Sequence, residues 1–175
     1  IAINETFKDI AVERGGMDRD RVFIVRSIPD LSYFKRTAPN ASLKNGRRIL
    51  AGYCGVMGAQ DGVDMLIRAM AHVVRDLKRD DIQCAIVGSG TEVPNLKRLT
   101  SQLGLDDYIT FTGFVPSGEP HLAALSAFDI GVIPDPKNVF NDKISMNKVF
   151  EYMTLGIPFV QFDLTGQNAW VAAHA

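Results

Sequence analysis

Lys143, Lys148 and Glu151 are the residues of this chain best suited to chemistry, because they gather at the start of a helical stretch that runs to a glycine and a proline. The first turn of a helix exposes unpaired backbone N–H groups that favour an anion, and lysines beside it add charge at the same place. A carboxylate one turn further in accepts hydrogen bonds from hydroxyl groups. A sugar nucleotide carries a diphosphate and a ribose diol, so it presents both kinds of group. Ser145 has the right type for an N-cap, which puts the N–H groups of Ser145, Met146 and Asn147 at the anion site. Gly156 suits the position just past the helix, and Pro158 stops it. Lys148 and Glu151 are three residues apart and share a helical face, while Lys143 lies in the loop before it. The same residues also describe an ordinary capped surface helix, in which a Lys148–Glu151 pair contributes about 0.2–0.5 kcal/mol.

The elements that must position these residues follow from periodicity. Apolar runs at 48–54, 82–87, 108–112, 128–133 and 157–162 alternate with helical patterns, the clearest being Val63, Leu66, Ile67, Met70, Val73, Val74 and Leu77. That alternation predicts an α/β domain with an open parallel Rossmann-like sheet and helices on both faces. Such sheets bind ligands beyond the carboxyl ends of their strands. Each predicted strand end carries a turn signal: Gly55 and Gly58, then Gly88-Ser89-Gly90, then Gly113-Phe114-Val115, then Pro134. Gly58, Gly88 and Ser89 sit where a backbone could approach a bulky anion, and Phe114 and Val115 where a flat base could pack. Each glycine, taken alone, also reads as a simple turn residue. Upstream, residues 5–14 suit a short helix stopped by Gly15 and Gly16, and residues 21–26 suit a strand. Residues 27–47 are rich in Pro, Ser, Asn and charge, as a connector is.

Composition narrows the function classes. The 175 residues are 46% hydrophobic and 22% charged, with a formal net charge of −1. No global field attracts nucleic acid or anionic lipid, so any polyanion site is local. Cys54 and Cys84 lie in apolar, strand-like runs, which suits reduced core residues of a cytoplasmic protein, and neither has a Cys or His at metal-ligand spacing. No apolar run approaches the roughly 20 residues of a membrane span, and no secretory signal opens the chain. His72 is expected at the edge of a buried stripe, His121 on an exposed helix start and His174 near the chain end, with no nucleophile close in sequence to suggest a triad.

The string Lys148-x-x-Glu151-Tyr-Met-x-x-Gly156-x-Pro158-Phe-Val160 resembles the nucleotide-sugar-binding signature of the retaining glycosyltransferases of family four, which have the GT-B fold. Residues 52–64, 86–92 and 109–115 are similar, in the same order, to that family's first glycine loop and next two strand ends, and residues 25–34 to its interdomain segment. The resemblance implies that residues 1–46 end a preceding domain and supply the connector, and that 47–175 form a nucleotide-sugar-binding domain, truncated at its end with apolar surface near Trp170 left open. It implies transfer of a sugar from a nucleoside-diphosphate sugar, with retention, to an acceptor held by a domain missing here: a glycan, a lipid-linked sugar or a small molecule. No metal is implied. Cytoplasmic placement is implied, with contact to a membrane surface in the full-length protein. Two departures stand out. The Arg and Lys that many members place at the first glycine loop correspond to Val56 and Asp61, and Lys143 replaces the first of two glutamates spaced eight apart. Lys143 and Lys148 are then the available cations.

Competing functions fit some of the same residues. The spacing Gly52-x-x-Gly55-x-x-Gly58 also suits some nicotinamide-dependent Rossmann enzymes, although the predicted second strand ends in Gly88-Ser89 rather than an acidic residue. A nucleotide-binding or interaction module without chemistry would show the same α/β pattern, as would an epimerase of the same architecture.

Overall fold

The computed structural model describes residues 1–165; Trp170 and His174 lie outside them. In chain order the elements are α1 (Glu5–Glu13), β1 (Ile49–Cys54), α2 (Val63–Arg75), β2 (Ile82–Val87), α3 (Val93–Gln102), β3 (Ile109–Gly113), α4 (Glu119–Ser126), β4 (Ile130–Ile133), α5 (Asn147–Thr154) and β5 (Phe159–Gln161). The five strands form one sheet in the order β3-β2-β1-β4-β5. All pairings are parallel, with Ile49 opposite Ile82, Ala51 opposite Ile130, Cys84 opposite Ile109 and Gly131 opposite Phe159. The predicted fold class is therefore the observed one.

Both faces of the sheet are covered, and the strands are apolar on both sides for that reason. Tyr53, Cys84 and Ile86 point into a core with Leu66, Ile67 and Met70 of α2 and Leu96 of α3. Leu50, Cys54, Ala85 and Val87 point the other way, into a core with Leu125 of α4 and Val149 and Tyr152 of α5. Burying each such aliphatic side chain contributes about 1.5–3 kcal/mol. The aromatic of the Glu151-Tyr152-Met153 string is a core residue: a Cβ at Gly131 of β4 would sit 2.5 Å from the Tyr152 ring, so only glycine lets α5 approach the sheet this closely.

Two expectations upstream are corrected. Residues 21–26 do not form a strand: Arg19–Arg21 is a 3₁₀ turn, and only an isolated bridge joins Ala2 to Ile24. Phe23 and Val25 are exposed, so no second face is buried to hold a ladder there. His72 is also not at a buried edge. It is exposed and pairs with Asp76 one turn on, at 2.6 Å. The segment before β1 lies against the sheet: the Arg36 guanidinium donates to the carbonyls of Leu155 and Gly156 at the end of α5, and Phe34 packs on the core. Among the described residues no helix is long and apolar enough to cross a membrane.

Candidate functional site

The strand order reverses between β1 and β4, and a sheet of this kind opens a crevice at that reversal. A cavity of about 450 Å³ lies there. Cys54 and Gly55 at the end of β1, Asp61 in the following loop and Asp135 just past β4 form its floor. Ser145, Met146, Asn147, Lys148 and Glu151 form one wall, His121 of α4 another, and Ile3 and Ser27 reach it from the N-terminal segment. A second cavity of about 230 Å³, between α2 and the β4–β5 edge, is lined by Met65, Leu66, Val132, Val160 and other residues without a titratable group, and offers no comparable chemistry.

Helix α5 starts one residue later than an N-cap at Ser145 requires. Met146 holds the N-cap position in extended backbone (φ −92°, ψ 123°), and its own side chain makes no capping hydrogen bond. The Ser145 hydroxyl instead accepts a hydrogen bond from the Asn4 side-chain amide at 3.2 Å, while the same amide donates to the Lys143 carbonyl at 2.8 Å. Asn4 thus ties the segment before α1 to the loop before α5. The first helical turn thus lines the cavity with an N-cap residue whose side chain has no oxygen to offer its N–H groups, an arrangement that suits an anion.

Lys148 does not pair with Glu151 as its spacing suggests. Its ammonium lies 2.8 Å from Asp135 Oδ2 and 4.8 Å from the centre of the Tyr53 ring. Asp135 is buried, and a buried carboxylate needs a cation more than an exposed one does, which decides the competition. Burial still pushes the Asp135 carboxyl above its ordinary range, against the pull of Lys148. Glu151 faces His121 instead, with Oε2 3.9 Å from Nε2.

His121 is half-buried rather than exposed. Its Nδ1 is 3.9 Å from Cys54 Sγ, and its ring meets Phe34 edge-on at 6.2 Å. The neighbouring Cys54 and then Glu151 side chains push its pKa up to about 10, against the opposing effect of burial. The sequence hid this residue because α4 is apolar around most of its circumference, so no stripe marks which side faces the sheet. The one available signal was Pro120 beside it in the first helical turn, which fixes where α4 begins.

The remaining predicted contacts lie off the cavity lining. The Gly58 amide donates to Asp61 Oδ2 at 2.7 Å, so the loop's own carboxylate fills the place an anion would take. Gly88 serves packing: a Cβ there would lie 1.9 Å from the Gly55 carbonyl oxygen, at φ +128°. Ser89 accepts the Met57 amide at 3.0 Å through its carbonyl. Phe114 is exposed and Val115 packs on the core. Lys143 ends a 3₁₀ turn, Asn141–Lys143, before α5. Among the described residues the lining therefore holds three acids, Asp61, Asp135 and Glu151, against two bases, Lys148 and His121.

A parallel sheet that reverses beside a ligand-sized cavity, with a helix N-terminus and a carboxylate one turn on, defines an open α/β domain of Rossmann-like type. The chain belongs to the family described as Glycosyl transferases group 1, which it matches over residues 48–174. It is 33% identical over 116 residues to an α-D-kanosaminyltransferase of Streptomyces kanamyceticus, covering 66% of this chain and 28% of that protein. Among solved structures it resembles Anabaena HepE in complex with UDP and glucose, with a TM-score of 0.72 at 19% identity, over 94% of this chain and 44% of that one. It also resembles the C-terminal domain of the group 1 glycosyl transferase LpcC from Francisella tularensis, with a TM-score of 0.60 at 20% identity, over 79% and 72% of the two chains. The chain thus spans less than half the length of the kanosaminyltransferase and of HepE. These structural likenesses establish the GT-B type of Rossmann-like fold.

Proposed function

We propose that this chain is the C-terminal, donor-binding domain of a retaining glycosyltransferase of family four, and that it holds a nucleoside-diphosphate sugar in the crevice between β1 and β4. The observation that carries this is the placement of Glu151 one turn inside α5, on the same cavity as the Asn147 and Lys148 end of that helix. The diphosphate lies against the α5 N–H groups, and the ribose hydroxyls donate to Glu151. As the sugar leaves, negative charge grows on the diphosphate, and fixed backbone dipoles already aimed at it stabilise that charge without reorganising. Lys148 adds charge, offset in part by Asp135, and Lys143 adds more from the turn before α5. The scheme needs no metal. The acceptor is held by a second domain, and residues 1–46 belong to the connection between the two.

HepE and the pneumococcal transferase GtfA, both fold relatives, were solved with UDP, which makes uridine the first base to try. Thermal unfolding with a panel of nucleoside diphosphates and sugar nucleotides tests the proposal. A ligand that binds only the native state stabilises it by about 2.7 kcal/mol at a hundredfold excess over Kd. At least one nucleoside diphosphate is expected to raise the midpoint, and its parent nucleoside to raise it less. No response to any of them would end the proposal.

A further inference from the structure

We infer that His121 is the positioning residue for Glu151, and that the pair makes the cavity selective for a ribose 2′-hydroxyl. The inference deepens the donor-site proposal and rests on it. Glu151 sits on a helix of eight residues and is half-buried, so its carboxylate has several rotamers within reach and loses entropy when held in one. His121 faces it, with Nε2 3.9 Å from Oε2, and Lys148, its helical neighbour, is committed to Asp135. The imidazole is held in turn from two other elements. Cys54 at the end of β1 meets Nδ1, and Phe34 of the connector closes on the ring edge. One Glu151 oxygen is thereby directed at Nε2, which leaves the second for a hydroxyl in the cavity. Among the described residues the charged and titratable groups facing the ring are Cys54 and Glu151, and both raise its pKa. An imidazolium fixed on three sides is a better orienting group than a mobile lysine, because fewer rotamers are lost per contact.

This assignment makes a distinction that a purely structural histidine would not. If His121 acts through Glu151, its loss affects ligands with the 2′-hydroxyl and spares those without it. The test is calorimetry of the chain with UDP, ADP, GDP and CDP and their 2′-deoxy forms, in the parent, His121→Asn, Glu151→Gln and the double variant. The parent is expected to prefer its ribonucleotide over the deoxy form by about tenfold or more, the lower end for a hydrogen bond to a charged group. His121→Asn is expected to remove most of that preference while binding the deoxy form as the parent does, and to add nothing in the Glu151→Gln background. Equal losses for ribo and deoxy ligands, or losses that simply add in the double variant, would overturn the inference while nucleotide binding stands. A parent that binds none of the eight would overturn the donor-site proposal and this inference with it. If the Asn variant fails to fold, the ring is read in the parent by nitrogen NMR: a protonated imidazole at pH 8 supports the assignment, and one already neutral there contradicts it.

Discussion

Lys148 and Asp135 form the most enclosed ion pair at the site, with Nζ 2.8 Å from Oδ2 and side chains 13% and 2% exposed. The lysine comes from the first turn of α5 and the aspartate from the loop after β4, so the pair pins the helix N-terminus to the sheet edge it serves. Its role is to fix where the α5 amides point. Replacing one member leaves the other charged and buried, which costs about 3–5 kcal/mol, whereas replacing both by neutral groups of similar volume is close to neutral. Lys148→Met is therefore expected to be destabilised by several kcal/mol in urea denaturation at pH 7, and Lys148→Met with Asp135→Asn to recover most of the loss. Equal stability for the single and double variants would show that the pair does not couple.

His121 supplies a pH dependence whose sign is fixed. Its folded pKa is raised, to about 10, so the stability contributed by the imidazolium is complete below the unfolded value near 6.5 and is lost as pH rises towards 10. Cys54 and Glu151 are the groups that hold the charge. The gap in melting temperature between the parent and His121→Asn is expected to be largest below pH 6.5 and to close by pH 10. A gap constant across that window would mean that the ring is not held as an imidazolium.

Gly88 offers a prediction about packing at the strand ends. Alanine there needs a left-handed φ of +128° and puts Cβ 1.9 Å from the Gly55 carbonyl oxygen, a backbone atom that cannot swing aside. Strain of this kind costs about 1–3 kcal/mol before the clash is counted. Gly88→Ala is expected to unfold at markedly lower denaturant than the parent, or to fail to accumulate as folded protein. Parent-like stability would require the β1 and β2 loops to separate, which a crystal structure of the variant would reveal.

The five apolar runs and the alternation between them made the fold legible in the sequence, with strand ends within two residues of those observed, because strands buried on both faces leave unbroken apolar blocks. Glu151, Lys148 and the α5 region were legible for a different reason: helical spacing is local. What the sequence did not reveal was pairing across elements. Lys148 prefers Asp135, 13 residues away, to Glu151 on its own helix, since burial of Asp135 outweighs a weak surface pair. His121 joins Cys54, 67 residues away, only because α4 packs beside β1. The Gly58 loop likewise looked open to an anion until Asp61 was seen to occupy it. Each of these depends on which residues the sheet order brings together, and local spacing carries no record of that.

The most direct measurement of the central claim is calorimetry of Glu151→Gln against the nucleoside diphosphate that the parent binds. Gln keeps the size and one acceptor oxygen of Glu151 but removes its charge, and a hydrogen bond to a charged group contributes about 1.5–3 kcal/mol. The nucleoside diphosphate is expected to bind the variant about tenfold to a hundredfold more weakly, with unfolding otherwise like the parent's. Binding as tight as the parent's would contradict the assignment of Glu151 to the ribose and the placement of the donor against α5.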